Sequence, residues 1–211
     1  MNRAIFFDLD GTLWDALIPL CESWNNAMEE NGYKYRFSLE KMQSFMGLTP
    51  EETCPLAFED KNLEEGLKLF KICLDYEIKY LAKNPGKLYE NEENVLSNLS
   101  KKYPLFIVSN ADKGYIQNYL NACNMNKYFK DFVQAGDTGL AKWENILYMQ
   151  KKHSIDQVIY VGDTNKDKIE SERAGATFIH AAYGFGEIKE TKYKISSLNE
   201  LENKIKEIFK D

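Results

Sequence analysis

A chain of 211 residues with 44% hydrophobic content can bury a real core, and its length fits one large domain or two modest ones. The net charge of −6 argues against a broad nucleic-acid-binding face, so no nucleic-acid partner is expected. No apolar run approaches the ~18 residues of a membrane span, and the opening "MNRAIFF" has no signal-peptide core, so a cytoplasmic protein without a membrane partner is expected.

Residues 4–7 read as a short strand buried on both faces, and it runs straight into Asp8 and Asp10 in the stretch "DLDGT". Carboxylates this close repel each other and lose solvation at a buried strand end, so something must offset the cost. Helices follow. Leu17, Leu20, Cys21, Trp24 and Met28 form one helical stripe. "TPEE" at residues 49–52 is a capping box with proline at the first helical position. Leu63, Leu67, Phe70, Leu74, Ile78 and Leu81 predict a longer helix with these side chains inward, and "NPG" at 84–86 ends it. No strand is expected within this block. Cys21, Cys54, Cys73 and Cys123 form no CxxC pair and read as reduced thiols.

After residue 86 the pattern alternates. Helix is expected at 91–102, strand at 104–110 ("PLFIVSN"), helix at 113–123 and a short strand at 131–135. Helix follows at 142–153 with Trp143, Ile146 and Leu147 on its inner face, then strands at 158–164 ("VIYVGDT") and 177–181. Ser197 and Glu200 predict a capping box opening a terminal helix. Alternating short apolar strands and helices imply an α/β fold, a Rossmann-like parallel sheet covered by helices. The helical block interrupts that alternation. The expected division is therefore an α/β core of residues 1–15 and 85–211, with an α-helical cap domain of residues 16–84 inserted after the first strand.

Three apolar strands end in polar groups: Asp8 and Asp10, Ser109 and Asn110, then Asp163 and Asp167. In an open parallel sheet ligands bind outside the carboxyl ends of the strands, so these residues can converge, and Lys142 at a helix start can join them. Four carboxylates, a hydroxyl, an amide and an ammonium suit phosphoryl transfer. An oxygen-only donor set selects a hard ion such as Mg²⁺, which offsets the repulsion between Asp8 and Asp10. One carboxylate can attack phosphorus, and a second, two residues on, can protonate the leaving oxygen and then activate water. Lys142 and Ser109 would stabilise the charged phosphoryl oxygens.

"DLDGTLWD", "VSN", Lys142 and "GDTNKD" resemble, in order, the four motifs of the haloacid dehalogenase-like hydrolases. The helical block resembles the small caps of phosphoglycolate phosphatases and β-phosphoglucomutases. The resemblance implies Asp8 as nucleophile and Asp10 as acid and base. It implies Mg²⁺ held by Asp8, the Asp10 backbone carbonyl and Asp163, with Asp167 a further ligand or an outer carboxylate, and Ser109 holding the transferring phosphoryl group. Thr12 and Asn110 are expected beside the substrate. The family lysine is often followed by proline, whereas this chain reads "GLAKWEN". The segment "FMGLTPEE" resembles the cap specificity loop. There Gly47 permits close backbone approach, and the helix start at Thr49 would offer free N–H groups to an anion. Arg36, the only arginine of the cap, is the candidate for a second anionic group, with a plain surface role as the favoured alternative. The leading function is a Mg²⁺-dependent phosphomonoesterase for a small phosphate ester, as a monomer or weak homodimer. A phosphomutase keeps every motif and stays open. A dehalogenase would need neither metal nor the acid at Asp10, and a non-enzymatic phosphoryl receiver would need no lid.

Overall fold

The computed structural model describes residues 2–210. In chain order its strands and α-helices are β1 (Arg3–Phe7), β2 (Trp14–Asp15), α1 (Leu17–Glu30), α2 (Leu39–Gln43), α3 (Pro50–Ala57), α4 (Leu63–Leu81), β3 (Lys87–Leu88), α5 (Glu92–Ser100), β4 (Leu105–Ser109), α6 (Tyr115–Ala122), β5 (Phe129–Gln134), α7 (Ala135–Thr138), α8 (Lys142–His153), β6 (Gln157–Gly162), α9 (Asn165–Arg173), β7 (Thr177–Ala181), β8 (Lys194–Ile195) and α10 (Leu201–Phe209). Six strands form one sheet in the order β5-β4-β1-β6-β7-β8, parallel throughout.

The run Ala4–Phe7 is apolar at every position because β1 lies mid-sheet and is covered on both faces. Ile5 and Phe7 pack with side chains from α5, α6 and α10, whereas Ala4 and Phe6 face Ile146 and Met149 of α8. Register sets the site. Phe7 pairs with Ile107 of β4 and with Val161 of β6, so Asp8, Ser109 and Asp163 all emerge at one end of the sheet. β1 is also where the strand order reverses, the position at which open α/β sheets bind ligands.

The four helices between β2 and β3 pack as a unit, α1 against α2 and α4, and α3 against α4. The "TPEE" capping box forms: Thr49 Oγ1 accepts from Glu52 N, and Glu52 Oε2 accepts from Thr49 N at 2.7 Å. Trp24 is the hub of this block, edge-on to Phe37 and Phe70 and tilted against Phe45. These side chains join the sheet's apolar cluster without a break. No helix among the described residues is long and apolar enough to cross a membrane.

Several local expectations differ from the structure. The buried face of α4 runs through Gly66, Leu69, Phe70, Cys73, Glu77 and Leu81. Of the predicted stripe, Leu63 is exposed, and Leu67, Leu74 and Ile78 are only partly buried. The stripe tracked an edge of the buried face. Leu147 is exposed because α8 turns Lys142, Asn145, Ile146 and Met149 inward, a face centred roughly 150° around the helix from it. Ser197 caps a 3-10 turn at Leu198–Glu200, and Glu200 accepts from Ser196 N, so no capping box forms there. The unexpected strands are β2 and β3, which pair antiparallel where the chain enters and leaves the helical block, and the edge strand β8. Gly86 is required at that crossing, since a Cβ would lie 2.9 Å from the Asp15 carbonyl oxygen.

Candidate active site

Beyond Phe7 the chain folds back on itself at once. The Leu9 carbonyl accepts from Thr12 N, Leu13 N and Trp14 N. Gly11 has φ +74°, and a Cβ there would run into the Asp163 carboxylate, which is why the turn reads "DGT". This turn leaves Asp8 buried and Asp10 bordering a cavity of about 460 Å³.

Lys142, at the first turn of α8 and 2% exposed, donates to Asp8 Oδ1 at 2.9 Å and to Asp167 Oδ1 at 2.5 Å. The other Asp167 oxygen accepts from Thr164 N and Oγ1 at the start of α9, so Thr164 caps that helix and Asp167 completes the box. Asp163 is fully buried. Its Oδ2 accepts from Phe185 N at 2.7 Å, and its Oδ1 has no partner among the described residues. Oxygens of Asp8, Asp163 and Asp167 lie within 4.8 Å of one another. Three buried carboxylates around one ammonium leave negative charge unmatched, and a hard divalent cation fits both that all-oxygen set and the orphaned Oδ1.

Electrostatics separates the carboxylates. Burial pushes Asp8 up to about 6, with the charge on Asp167 adding to the effect and Lys142 opposing it. Burial likewise raises Asp163 well above the usual carboxylate range. Burial also works against the Lys142 ammonium, but Asp167 and Asp8 outweigh it and hold the group protonated. Asp10 turns its side chain away from this cluster. Its Oδ1 accepts from Tyr115 Oη at 2.7 Å and from Trp14 Nε1 at 3.1 Å. Burial pushes it up to about 7, against the Tyr115 hydrogen bond and with the help of the Asp8 charge. A carboxyl poised there can exchange a proton at neutral pH.

The structure brings Asp8, Asp10, Ser109, Asn110, Gly47 and Lys142 to one cavity wall. Ser109 Oγ accepts from Ala111 N, and Asn110 Nδ2 donates to the Gly47 carbonyl at 3.0 Å, tying the helical block to the sheet. Gly47 has φ +75°, the conformation that favours glycine. Asp163 and Asp167 are not part of the cavity wall; Lys142 bonds Asp167, and an Asp163 oxygen lies within 4.8 Å of oxygens of Asp8 and Asp167. Two expected residues are not brought to it. Thr12 is fully buried behind the turn, its Oγ1 without a partner among the described residues and its carbonyl accepting from Tyr183 Oη. Arg36 lies on the outer surface of the helical block, paired with Glu29 at 2.8 Å. The α3 start also differs from expectation: its capping box occupies the Thr49 and Glu52 N–H groups, and Glu51 and Glu52 add negative charge.

Sequence reasoning missed the groups that hold Asp10, namely Trp14 and Tyr115, and it missed Glu77. Trp14 stands four residues from Asp10, a spacing that was legible. Tyr115 reaches Asp10 only through the tertiary fold, and Glu77 was hidden in a stripe read for its leucines.

A family model described as haloacid dehalogenase-like hydrolase matches residues 5–181. A protein of Aquifex aeolicus named phosphoglycolate phosphatase is 27% identical over 192 residues, covering 87% of this chain and 86% of that one. One of Aliivibrio fischeri with the same name is 25% identical over 195 residues, covering 87% and 85%. A solved haloacid dehalogenase-like family hydrolase from Streptococcus pneumoniae superposes with a TM-score of 0.82 over 97% of this chain and 98% of its own, at 23% identity.

Proposed function

Because the chain belongs to the haloacid dehalogenase-like hydrolases, we propose that it is a phosphomonoesterase that cleaves a small phosphate ester through an aspartyl phosphate on Asp8. The observation that carries this reading is the contrast between Asp8 and Asp10. One is fixed by a buried ammonium, and the other is turned to a phenol and an indole and raised to about 7. Two carboxyls two residues apart thus hold environments suited to different tasks. The names of the relatives in Aquifex aeolicus and Aliivibrio fischeri agree with a phosphatase.

In the proposed reaction an Asp8 carboxylate oxygen bonds to phosphorus as the ester P–O bond breaks, and Asp10 gives its proton to the departing oxygen. Asp10, now a carboxylate, takes a proton from water. The water oxygen attacks phosphorus, releasing phosphate and freeing Asp8. Lys142 fixes Asp8 and offsets charge on the transferring group, and Ser109 offers its hydroxyl to a phosphoryl oxygen. Asp8, Asp163 and the Asp10 carbonyl would hold Mg²⁺, with Asp167 beside them. When bound, the ion supplies positive charge to the carboxylates and to the phosphoryl oxygens. The helices between β2 and β3 act as the cap, closing over the cavity through the Asn110–Gly47 bond and the Lys166–Glu52 ion pair. The test is phosphate release from acetyl phosphate. It should stop in chelator and return with Mg²⁺, and full activity in chelator would contradict the metal-assisted phosphatase.

A further inference from the structure

The cavity continues above Asp8 and Asp10 into a chamber formed by the helical block. Its wall there includes Leu20, Trp24, Phe45, Phe70, Leu74 and Glu77. Glu77 is 5% exposed, the one charged residue on the buried face of α4. Trp24 Nε1 donates to its Oε2 at 2.7 Å, and the residue borders the cavity. A carboxyl buried in an apolar wall is costly unless something answers it. Nothing in the proposed phosphoryl chemistry uses it.

The charges around the chamber are as informative. Asp8, Asp10, Glu51 and Asp112 line the same cavity. Among the described lining residues the sole cation is Lys142, already bonded to Asp8 and Asp167. Arg36 is outside, paired with Glu29, and Lys166 is paired with Glu52. The N–H groups of Thr49 and Glu52 at the start of α3 are taken by their own capping box. A carboxylate on the substrate's alcohol portion would therefore meet carboxyl groups with no counter-ion, an arrangement that costs several-fold to many-fold in binding.

Resting on the phosphatase reading above, we propose that Glu77 is a specificity-determining residue: it accepts a hydrogen bond from a hydroxyl or ammonium on the leaving alcohol, and the chamber rejects esters that end in a carboxylate. The surrounding side chains of Trp24, Phe45 and Phe70 suit the apolar carbons between that donor and the phosphate. Burial pushes the Glu77 carboxyl up to about 8, with the Asp10 and Asp112 charges adding and the Trp24 bond opposing. A cationic or hydroxyl donor stabilises the ionised, accepting form, which predominates above about pH 8, where the esters are compared. This assignment departs from what the relatives' name, phosphoglycolate phosphatase, would suggest for this chain, since phosphoglycolate carries a carboxylate on its alcohol portion.

The experiment compares kcat/KM for alkyl phosphates of two to four carbons that end in hydroxyl, ammonium or carboxylate, phosphoglycolate included, with Mg²⁺ present. Acetyl phosphate serves as a substrate without an alcohol portion. For the wild type, the hydroxyl or ammonium ester of at least one length should exceed its carboxylate counterpart tenfold or more. Glu77→Leu should shrink that ratio to under threefold. Glu77→Gln, nearly isosteric and still able to accept from Trp24, should lower the ammonium preference at least threefold and decides the matter if the leucine variant does not fold. Turnover of acetyl phosphate with the carboxylate esters preferred, with unchanged ratios in Glu77→Leu, or with an unchanged ammonium preference in Glu77→Gln overturns the Glu77 assignment and leaves the phosphatase standing. No turnover of acetyl phosphate or any ester overturns both.

Discussion

Replacing Lys142 with methionine keeps most of the side chain's volume and removes its charge. In the structure that ammonium, 2% exposed, is bonded to Asp8 and Asp167, with Asp163 close by. Breaking a buried pair by removing one partner costs about 3–5 kcal/mol, because the remaining charge stays buried without compensation. For a chain of this length each kcal/mol shifts the melting midpoint by about 2–4 °C, so Lys142→Met should lower it by roughly 6–20 °C in chelator at pH 8. The sign with pH follows from the partners. Lys142 lowers the raised pKa values of Asp8 and Asp163, so without it these two carboxyls take up protons sooner as pH falls. The deficit should be full at pH 8 and shrink toward pH 5. Mg²⁺ should also narrow it by supplying charge to the same oxygens. The assay is a calorimetric melt of both proteins at the two pH values. A deficit under about 3 °C at pH 8, or one that grows toward pH 5, would refute the view that Lys142 balances this cluster.

Asp10→Asn should slow hydrolysis of the phosphorylated enzyme more than its formation from an aryl phosphate, because an aryl leaving group needs little protonation; equal slowing in rapid-quench kinetics would contradict the acid and base role. Glu92 is 1% exposed, accepts from Tyr119 Oη at 2.6 Å, and is pushed by burial from 4.5 to about 8. A raised carboxyl contributes stability that is full below 4.5 and is lost as pH rises through about 8, an interval worth up to about 5 kcal/mol. Urea melts of Glu92→Gln should therefore gain on the wild type between pH 5 and pH 9, and a pH-independent difference would contradict this.

Much of the site was legible because its residues carry their chemistry in short local patterns. Asp8 and Asp10 follow an apolar strand, and Asp163 and Asp167 follow another, so the parallel-sheet rule alone places them together. The Thr49 capping box was readable for the same reason, being complete within four residues. What escaped depends on distant partners. β2 and β3 are two residues each and exist only because they pair with one another across the helical block. Glu77 sits where periodicity expects an apolar side chain, so a pattern read for leucine passes over it. Arg36 is conspicuous as the lone arginine of its block, yet its partner, Glu29, is a surface carboxylate. Rarity in composition did not translate into a place at the site.

The proposed chemistry centres on a covalent phosphoryl group at Asp8. The direct measurement is acid quenching of the enzyme during turnover of acetyl phosphate, followed by mass spectrometry of the peptide that contains residues 4–15. The expected result is a phosphate adduct on Asp8 that is absent in Asp8→Asn, together with loss of phosphate release in that variant while its circular dichroism is unchanged. An adduct on another residue, or phosphate release by folded Asp8→Asn near the wild-type rate, would contradict it.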